Sequence, residues 1–380
     1  LSFSRRFRLI QPIESMGQAM TETPPPISPS PAKRQPEETS PVSSLRELID
    51  LVTGRTFQDQ VDREDSGLAE VLPFPFLGLV GQEEMKLALV IALINPLVNG
   101  VLLVGPRGTG KTTIVRSLID LLPVIQRSAC HYGCLPEDIE AGGTDAVCPD
   151  CAKKYGLGLP LTKTDRGRLV ELPLNARLED VIGGWDERAM AQNRPSIKSG
   201  ILKQADLNIL YIDEVNLLGD DIINAILDAS AQGTYTVRRG PLASTYRSRF
   251  TLIGSMNPEE GSLRSQIMDR FGLRVIVEGL KTPDERLAAY HRSRAYRLNP
   301  RATGQQFADA TGLARDEIQA ARDLLQEVVI PPAVELAGTT LVQRVGIDSL
   351  RAEITLLEAA RAYAAADGRT ETSLADLRIV

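Results

Sequence analysis

The chain has few of the residues on which several classes of protein depend. Only two histidines, His131 and His291, occur among its 380 residues, so a reaction that needs a histidine base is not expected. The four cysteines are too few for a disulfide scaffold. No run of about 18 uncharged apolar residues is present, so no membrane span is predicted. Acidic residues outnumber basic ones by 49 to 43, and the formal net charge of −6 argues against binding to duplex DNA.

The remaining composition is that of a soluble globular protein. Apolar residues make up 43% of the chain and charged residues 24%. The length favours one large domain and a smaller one. Near the N-terminus, Arg5, Arg6 and Arg8 are followed by Gln11 and Pro12, which interrupt the apolar stretch that a signal peptide needs. A cytoplasmic location is therefore the default prediction.

The order of sequence patterns predicts two folded domains after a tail. Seven prolines and no apolar periodicity occur in residues 21–43, so residues 1–70 are predicted to be a disordered tail or linker. Three apolar strands, VLLVG, NILYI and FTLIGSM, alternate with helical patterns in residues 71–280. This alternation predicts an α/β domain whose parallel sheet is sandwiched by helices. Residues 281–380 show helical patterns alone and are predicted to form a smaller all-helical domain.

A glycine-rich loop follows the first apolar strand. Residues 105–112 read GPRGTGKT, which fits the phosphate-binding pattern G-x-x-x-x-G-K-[ST] between a strand and a helix. The glycines let backbone N–H groups wrap phosphates closely, and the helix N-terminus adds positive potential. Lys111 is predicted to reach the β and γ phosphates of ATP, and Thr112 to bind Mg²⁺. The alternative is a glycine turn that only joins strand to helix. The predicted nucleotide-binding residues here are Gly105, Pro106, Arg107, Gly108, Thr109, Gly110, Lys111, Thr112 and Thr113.

Polar residues follow the other two apolar strands. Asp213 and Glu214 end the strand NILYI, at the edge where ligands bind in parallel sheets. Asp213 is predicted to hold the Mg²⁺ of the nucleotide, directly or from the second coordination sphere, and Glu214 is predicted to be the base that orients the attacking water. Asn257 ends FTLIGSM, and its amide is predicted to contact the γ-phosphate or the water. Alternatively, Asn257 caps a turn before Pro258.

Two arginines are candidates for contact with a nucleotide. Arg270 follows a short helical pattern and is predicted to enter the nucleotide site of a neighbouring subunit as an arginine finger. The alternative is an ion pair with Asp269 or Asp284. Arg351 lies in the helical domain, on a helix whose buried stripe is predicted to consist of Leu350, Ile354 and Leu357. It is predicted to sense the γ-phosphate and close the helical lid, unless it is an exposed arginine paired with an acid.

All four cysteines lie within 22 residues. Cys130, Cys134, Cys148 and Cys151 follow the spacing C-x₃-C-x₁₃-C-x₂-C, and His131 is a spare candidate ligand. Two close pairs separated by a loop are typical of a structural Cys₄ zinc site. A redox pair, or cysteines without a ligand in an exposed insertion, are the alternatives.

These motifs together resemble the ATPase (I) subunit family of magnesium chelatase. The resemblance is carried by GPRGTGKT, LYIDEVNLL, GSMNPEEGSLRSQIMDRFGL and LRAEITLLEAARAYAAADGR, and it covers roughly residues 74–380. It implies an AAA+ core of the helix-2-insert type, with a helical lid behind the core and a hexameric ring with ATP between subunits. In this sequence it carries over the 105–112 loop as Walker A, Asp213 and Glu214 as Walker B, Asn257 as sensor 1, Arg270 as finger and Arg351 as sensor 2. It also places an inserted hairpin in residues 169–186.

The resemblance further implies a function. The ring would act with a D subunit that has an integrin-like domain and an H subunit that holds protoporphyrin IX. ATP hydrolysis would drive Mg²⁺ insertion toward chlorophyll or bacteriochlorophyll. Two alternatives stay open at this point: a MoxR-like AAA+ chaperone that remodels an integrin-domain partner for another cofactor, and a nucleotide-binding regulatory module with little turnover.

Overall fold

Five parallel strands form the central sheet. The computed structural model describes residues 72–186, 190 and 196–380. The predicted tail, residues 1–70, lies outside these ranges. The order of the strands across the sheet is β11–β1–β10–β7–β4, and every neighbouring pair is parallel. Their bounds are Val101–Val104 (β1), Leu169–Leu172 (β4), Ile209–Ile212 (β7), Thr251–Met256 (β10) and Leu273–Ile276 (β11).

Helices cover both faces of this sheet, as the alternating pattern predicted. A core cluster on one face packs β1 and the middle strands against the first helix, and a second cluster lies on the other face. The helices of this part are Glu83–Ile94 (α1), Lys111–Ser117 (α2), Pro136–Gly142 (α3), Pro149–Gly156 (α4), Leu178–Ile182 (α5), Ile201–Gln204 (α6), Asp220–Gln232 (α7) and Ser265–Met268 (α8).

The three strands predicted from apolar runs are confirmed, and the sheet has two more. β4 and β11 are the edge strands, and each has four residues that include a charged one, Glu171 or Arg274. Edge strands expose one side to solvent, so they need no continuous apolar run. The length and composition of these two segments therefore gave no strand signal.

Three antiparallel hairpins extend from the sheet. They pair Val124–Ser128 (β2) with Thr162–Arg166 (β3), Gly183–Trp185 (β5) with Ile197–Ser199 (β6), and Thr234–Arg239 (β8) with Leu242–Arg247 (β9). The β5–β6 hairpin lies between α5 and α6. The prediction of a hairpin in residues 169–186 is wrong in its bounds, because residues 169–172 pair with β7 in the main sheet and only residues 183–185 join the hairpin.

The C-terminal part is helical, as predicted. Its helices are Pro283–Leu298 (α9), Pro300–Leu324 (α10), Pro332–Val345 (α11), Leu350–Ala366 (α12) and Asp376–Ile379 (α13). Residues of α10 and α12, including Ile318 and Ala359, share one apolar core with α1 and the sheet. Arg315 adds hydrogen bonds to the carbonyl of Asp120, at 2.5 and 2.9 Å. The helical part is therefore packed directly on the α/β part.

The predicted buried stripe of α12 is wrong. Leu350 and Ile354 are 75% and 52% exposed, whereas the alanines from Ala359 to Ala365 are buried. Small side chains let α12 approach α1 and α10 closely, so the buried face follows the alanines and not the large apolar residues. None of the helices within the described ranges combines the length and apolarity that a membrane span requires.

Candidate nucleotide site

The glycine-rich loop turns between β1 and α2 as predicted. Gly108 and Gly110 have φ values of 80° and 88°, in the left-handed region that favours glycine. The Nζ atom of Lys111 lies 2.6 Å from the carbonyl oxygen of Gly105 and 2.7 Å from that of Pro106. Burial lowers the pKa of Lys111, and the nearby carboxylate of Asp213 only partly offsets this effect. The lysine is thus held inside the loop, at the N-terminus of α2.

The two predicted Mg²⁺ ligands are in contact. Asp213 follows β7, and its Oδ2 atom accepts a hydrogen bond from the hydroxyl of Thr112 at 3.1 Å. A carboxylate and a hydroxyl at this spacing, next to a phosphate-binding loop, can share one hard cation such as Mg²⁺.

Glu214 lies beside an arginine of the loop. The guanidinium of Arg107 is 3.3 Å from Glu214 Oε1 and also pairs with Glu260. Glu214 has a φ of 52°, which is uncommon for a residue with a side chain. Its carboxylate is on the rim of the same cavity as Lys111 and Asp213, a position from which it can reach a water near the phosphates.

Asn257 caps a turn, which is one of its two interpretations from the sequence, and contact with the γ-phosphate stays a prediction. Its Oδ1 atom accepts a hydrogen bond from the backbone N–H of Glu259 at 3.3 Å, which caps the short helix Pro258–Glu260. The side chain also lines the cavity of about 230 Å³ that contains Lys111 and Glu214. The cap therefore fixes the orientation of the amide at this cavity.

A larger cavity of about 610 Å³ adjoins the loop, and the sequence did not point to most of its lining. It is enclosed by the segment before α1 and by α9, whose contributions include Leu79, Gln82, Arg286 and Arg292. Because it is continuous with Gly108 and Thr109 of the loop, it has the position and size for the base and ribose of the nucleotide.

Arg270 and Arg351 lie together, away from the loop. Both line a third cavity of about 440 Å³, with Asn99 and Gly346 but with no residue of the 105–113 segment. Arg270 forms an ion pair with Asp228, so neither predicted partner, Asp269 or Asp284, is the one it contacts. Arg351 lines this cavity and neither of the two cavities beside the loop, so its role as a sensor of the γ-phosphate stays a prediction.

The four cysteines converge as the spacing predicted. Their Sγ atoms all lie within 4.8 Å of one another, and the four thiols are free. Sulfur atoms of a tetrahedral zinc site are about 3.8 Å apart, given a Zn–S distance of ~2.3 Å, so a small contraction suffices. Cys130 Sγ accepts hydrogen bonds from the N–H of Cys134 at 3.3 Å and from the hydroxyl of Ser128 at 3.4 Å. Although burial opposes it, these bonds lower the pKa of Cys130 to about 6.

His131 does not join the cysteines. Its Nδ1 atom lies 2.7 Å from the Nζ atom of Lys203, and its ring packs edge-on against Tyr132 and Tyr246. These contacts connect the cysteine segment to β9, together with the ion pair between Arg247 and Asp138. The insertion is therefore anchored to the β8–β9 hairpin, and its donor set is four thiols.

The parallel sheet, its phosphate-binding loop and the helical part packed on it define an ATPase of the AAA+ class. Residues 338–380 match the AAA lid domain, and residues 76–132 match the family described as magnesium chelatase, subunit ChlI. A magnesium-chelatase subunit ChlI homolog of Methanocaldococcus jannaschii is 40% identical over 307 residues, 80% of this chain and 82% of its own length. The magnesium-chelatase 38 kDa subunit of Acidiphilium rubrum is 40% identical over 309 residues, 81% and 88% of the two chains. The chain belongs to the magnesium-chelatase subunit ChlI family.

One solved structure is also similar. It describes the complex between subunits BchI and BchD of magnesium chelatase, from a single-particle cryo-EM reconstruction. The identity is 36%, the match covers 81% of this chain and 93% of that chain, and the TM-score is 0.47.

Proposed function

We propose that this chain is the ATP-hydrolysing motor subunit of a magnesium chelatase, with ATP and Mg²⁺ as its cofactors. The observation that carries the proposal is the convergence of Lys111, Thr112, Asp213, Glu214 and Asn257 on one cavity, in a member of the ChlI family. Lys111 and the backbone of the loop bind the phosphates, and Thr112 and Asp213 hold Mg²⁺. Glu214 orients the attacking water and Asn257 contacts the γ-phosphate.

Before hydrolysis, Glu214 has to leave Arg107. The guanidinium of Arg107 is 70% exposed, and exposed ion pairs contribute only about 0–1 kcal/mol. A nucleotide phosphate can therefore attract Arg107 away and free the carboxylate for the water.

Arg270 and Arg351 serve the site of a neighbouring copy. Both side chains line a cavity to which the phosphate-binding loop of the same chain contributes no residue. A nucleotide phosphate that these arginines contact therefore belongs to a nucleotide bound by another copy of the chain. A head-to-tail arrangement that closes into a ring places this cavity on the next subunit's nucleotide. We assign the ring as a hexamer, in keeping with the family resemblance.

The ring drives insertion of Mg²⁺ into protoporphyrin IX, with a D subunit that has an integrin-like domain and an H subunit that holds the porphyrin. The test mixes the purified chain with cognate D and H subunits, ATP and Mg²⁺, and follows Mg-protoporphyrin IX by fluorescence. The product is expected with the parent chain and not with Glu214→Gln, which retains nucleotide binding. No product from the parent, with partners that work with another I subunit, would refute the assignment.

The cysteine segment binds one structural Zn²⁺ through Cys130, Cys134, Cys148 and Cys151. Four thiols within 4.8 Å and N–H donors to their sulfurs support this assignment. With all four positions taken by protein ligands, the ion would stabilise the segment and supply no catalytic water. Elemental analysis of reduced protein should give about one zinc per chain, and Cys151→Ser should lose it while His131→Ala keeps it. Zinc-free parent protein after purification with zinc present would contradict the assignment.

A further inference from the structure

Two buried hydroxyl groups contact Asp213 from positions to which the sequence motifs assign no role. Tyr211 lies in β7 two residues before Asp213, and its hydroxyl donates a hydrogen bond to Asp213 Oδ1 at 2.9 Å. Ser255 lies on the neighbouring strand β10, and its hydroxyl donates a short hydrogen bond to the same oxygen. Tyr211 is 0% exposed and Ser255 is 1% exposed. Buried hydroxyls need partners, and these two find theirs in one carboxylate.

The two hydroxyls donate to the same oxygen of the Asp213 carboxylate and leave its other oxygen available. Oδ1 receives both hydroxyls, whereas Oδ2 faces the hydroxyl of Thr112 at 3.1 Å. The carboxylate is therefore fixed in the orientation that presents Oδ2 beside the hydroxyl proposed to share the cation.

Ser255 also holds the residue that follows Asp213. Its hydroxyl oxygen accepts a hydrogen bond from the backbone N–H of Glu214 at 3.2 Å. This N–H belongs to a residue in the left-handed region, a conformation that needs support from its surroundings in a residue with a side chain. One serine thus connects β10 to both acids at the end of β7.

We infer that Tyr211 and Ser255 are positioning residues of the Mg²⁺–nucleotide site: both hydroxyls orient Asp213 for the cation, and Ser255 in addition fixes the backbone of Glu214. The inference rests on the proposed role of Asp213 as a Mg²⁺ ligand. Groups that hydrogen-bond a metal ligand typically change metal affinity or activity by about 10–100-fold when removed. The two residues are expected to differ in their effects on activity, because Ser255 contacts both Asp213 and Glu214, whereas Tyr211 contacts only Asp213 of these two acids.

The test compares Tyr211→Phe, Ser255→Ala and Ser255→Thr with the parent chain. For each, the free Mg²⁺ concentration at half-maximal ATPase rate and the kcat at saturating Mg²⁺ are measured. Tyr211→Phe is expected to raise the half-saturating Mg²⁺ about 10-fold and to lower kcat by a smaller factor. Ser255→Ala should raise it by about 10–100-fold and lower kcat strongly as well. Ser255→Thr, which keeps the hydroxyl, should restore both values toward those of the parent.

Two further variants distinguish a failure of this inference from a failure of the proposed function. Tyr235→Phe removes the hydroxyl of another buried tyrosine, which is on β8 outside the nucleotide site, and should leave both values unchanged. Asp213→Asn tests the proposed function itself: if it keeps the Mg²⁺ dependence of the parent, the assignment of Asp213 fails. If Asp213→Asn abolishes that dependence but Tyr211→Phe and Ser255→Ala match the parent, only the present inference is overturned. Should Tyr211→Phe lower the Tm too far for assay, Ser255→Ala against Ser255→Thr decides.

Discussion

The separation of the two arginines from the phosphate-binding loop leads to a quantitative prediction. Arg270 lines a cavity that contains no loop residue, whereas Lys111 lies inside the loop. Arg270→Ala should therefore bind nucleotide like the parent and still lose ATPase activity, because an arginine finger accelerates phosphoryl transfer by about 10³–10⁵-fold. Lys111→Ala should lose activity because its own site no longer holds the phosphates.

Mixing the two inactive variants should restore part of the activity. In a ring with head-to-tail contacts, each active site joins the loop of one subunit to the arginine of the next. With equal amounts and random assembly, about one quarter of the contacts pair an intact loop with an intact arginine. The mixture should therefore show about one quarter of the parent ATPase rate if the sites hydrolyse independently.

The assay measures phosphate release from mixed rings whose composition is verified with two affinity tags. Arg264→Ala is the matched control, since Arg264 comes from the same segment and pairs with Asp220 in an exposed ion pair that avoids the cavity. It should keep full activity alone. If verified mixed rings remain as inactive as either variant, Arg270 does not act across a subunit contact and the reasoning is refuted.

Three predictions concern stability and can be tested by denaturant unfolding of the purified chain. Gly272→Ala would place a Cβ atom 1.7 Å from the carbonyl oxygen of Val98, so a loss of about 3 kcal/mol or more is expected; Gly304→Ala, with no atom within 4 Å, should be neutral or stabilising. Arg369→Ala would leave Asp376 buried at 2% exposure without its bidentate partner, and a loss of about 3–5 kcal/mol is expected. Burial by itself would raise the pKa of Asp376, but the hydrogen bonds from Arg369 and Ser373, with the charge of Arg369, together outweigh it and hold this pKa below its ordinary value. The pair therefore stabilises the parent above the unfolded pKa of about 3.9 and loses this contribution as the pH falls through the folded pKa. The difference in the free energy of unfolding between the parent and Arg369→Ala should therefore narrow below about pH 4. A difference that is constant from pH 7 to pH 3 would contradict this reasoning.

The predicted site residues that the structure brings together are recognisable by residue identity at fixed spacing. Lys111 and Thr112 follow glycines in one short loop, and Asp213 and Glu214 directly follow a buried strand. Parallel strands bring their C-terminal ends to one edge, so Asn257 reaches the same cavity as these acids. The convergence of the cysteines also depends on spacing. The two close pairs lie at the two ends of one loop, so a single reversal of the chain brings the pairs together.

The parts that the sequence missed depend on packing across the fold. Tyr211 is of a residue type that is common in buried strands, and no sequence pattern indicates that its hydroxyl forms a hydrogen bond with Asp213. The lining of the large cavity comes from segments about 200 residues apart, such as Leu79 and Arg286. Helix α11 follows a short isolated bridge at Val329 and begins at a proline pair. No polar capping residue marked its start in the sequence. The stripe of α12 was misjudged since large apolar residues normally mark the buried face, whereas here alanines do.

The alanine face of α12 also explains why the two arginines lie together. Close packing of Ala359 and its neighbours against α1 fixes the helix on the α/β part. The N-terminal end of the helix, with Arg351, then lies next to Arg270 at one cavity, while α9 contributes to the cavity beside the phosphate-binding loop. One rigid unit therefore presents a nucleotide pocket at one place and a pair of cations at another. In the proposed ring, neither would be a complete hydrolysis site, so the subunit contact that brings them together would itself be part of the catalytic apparatus.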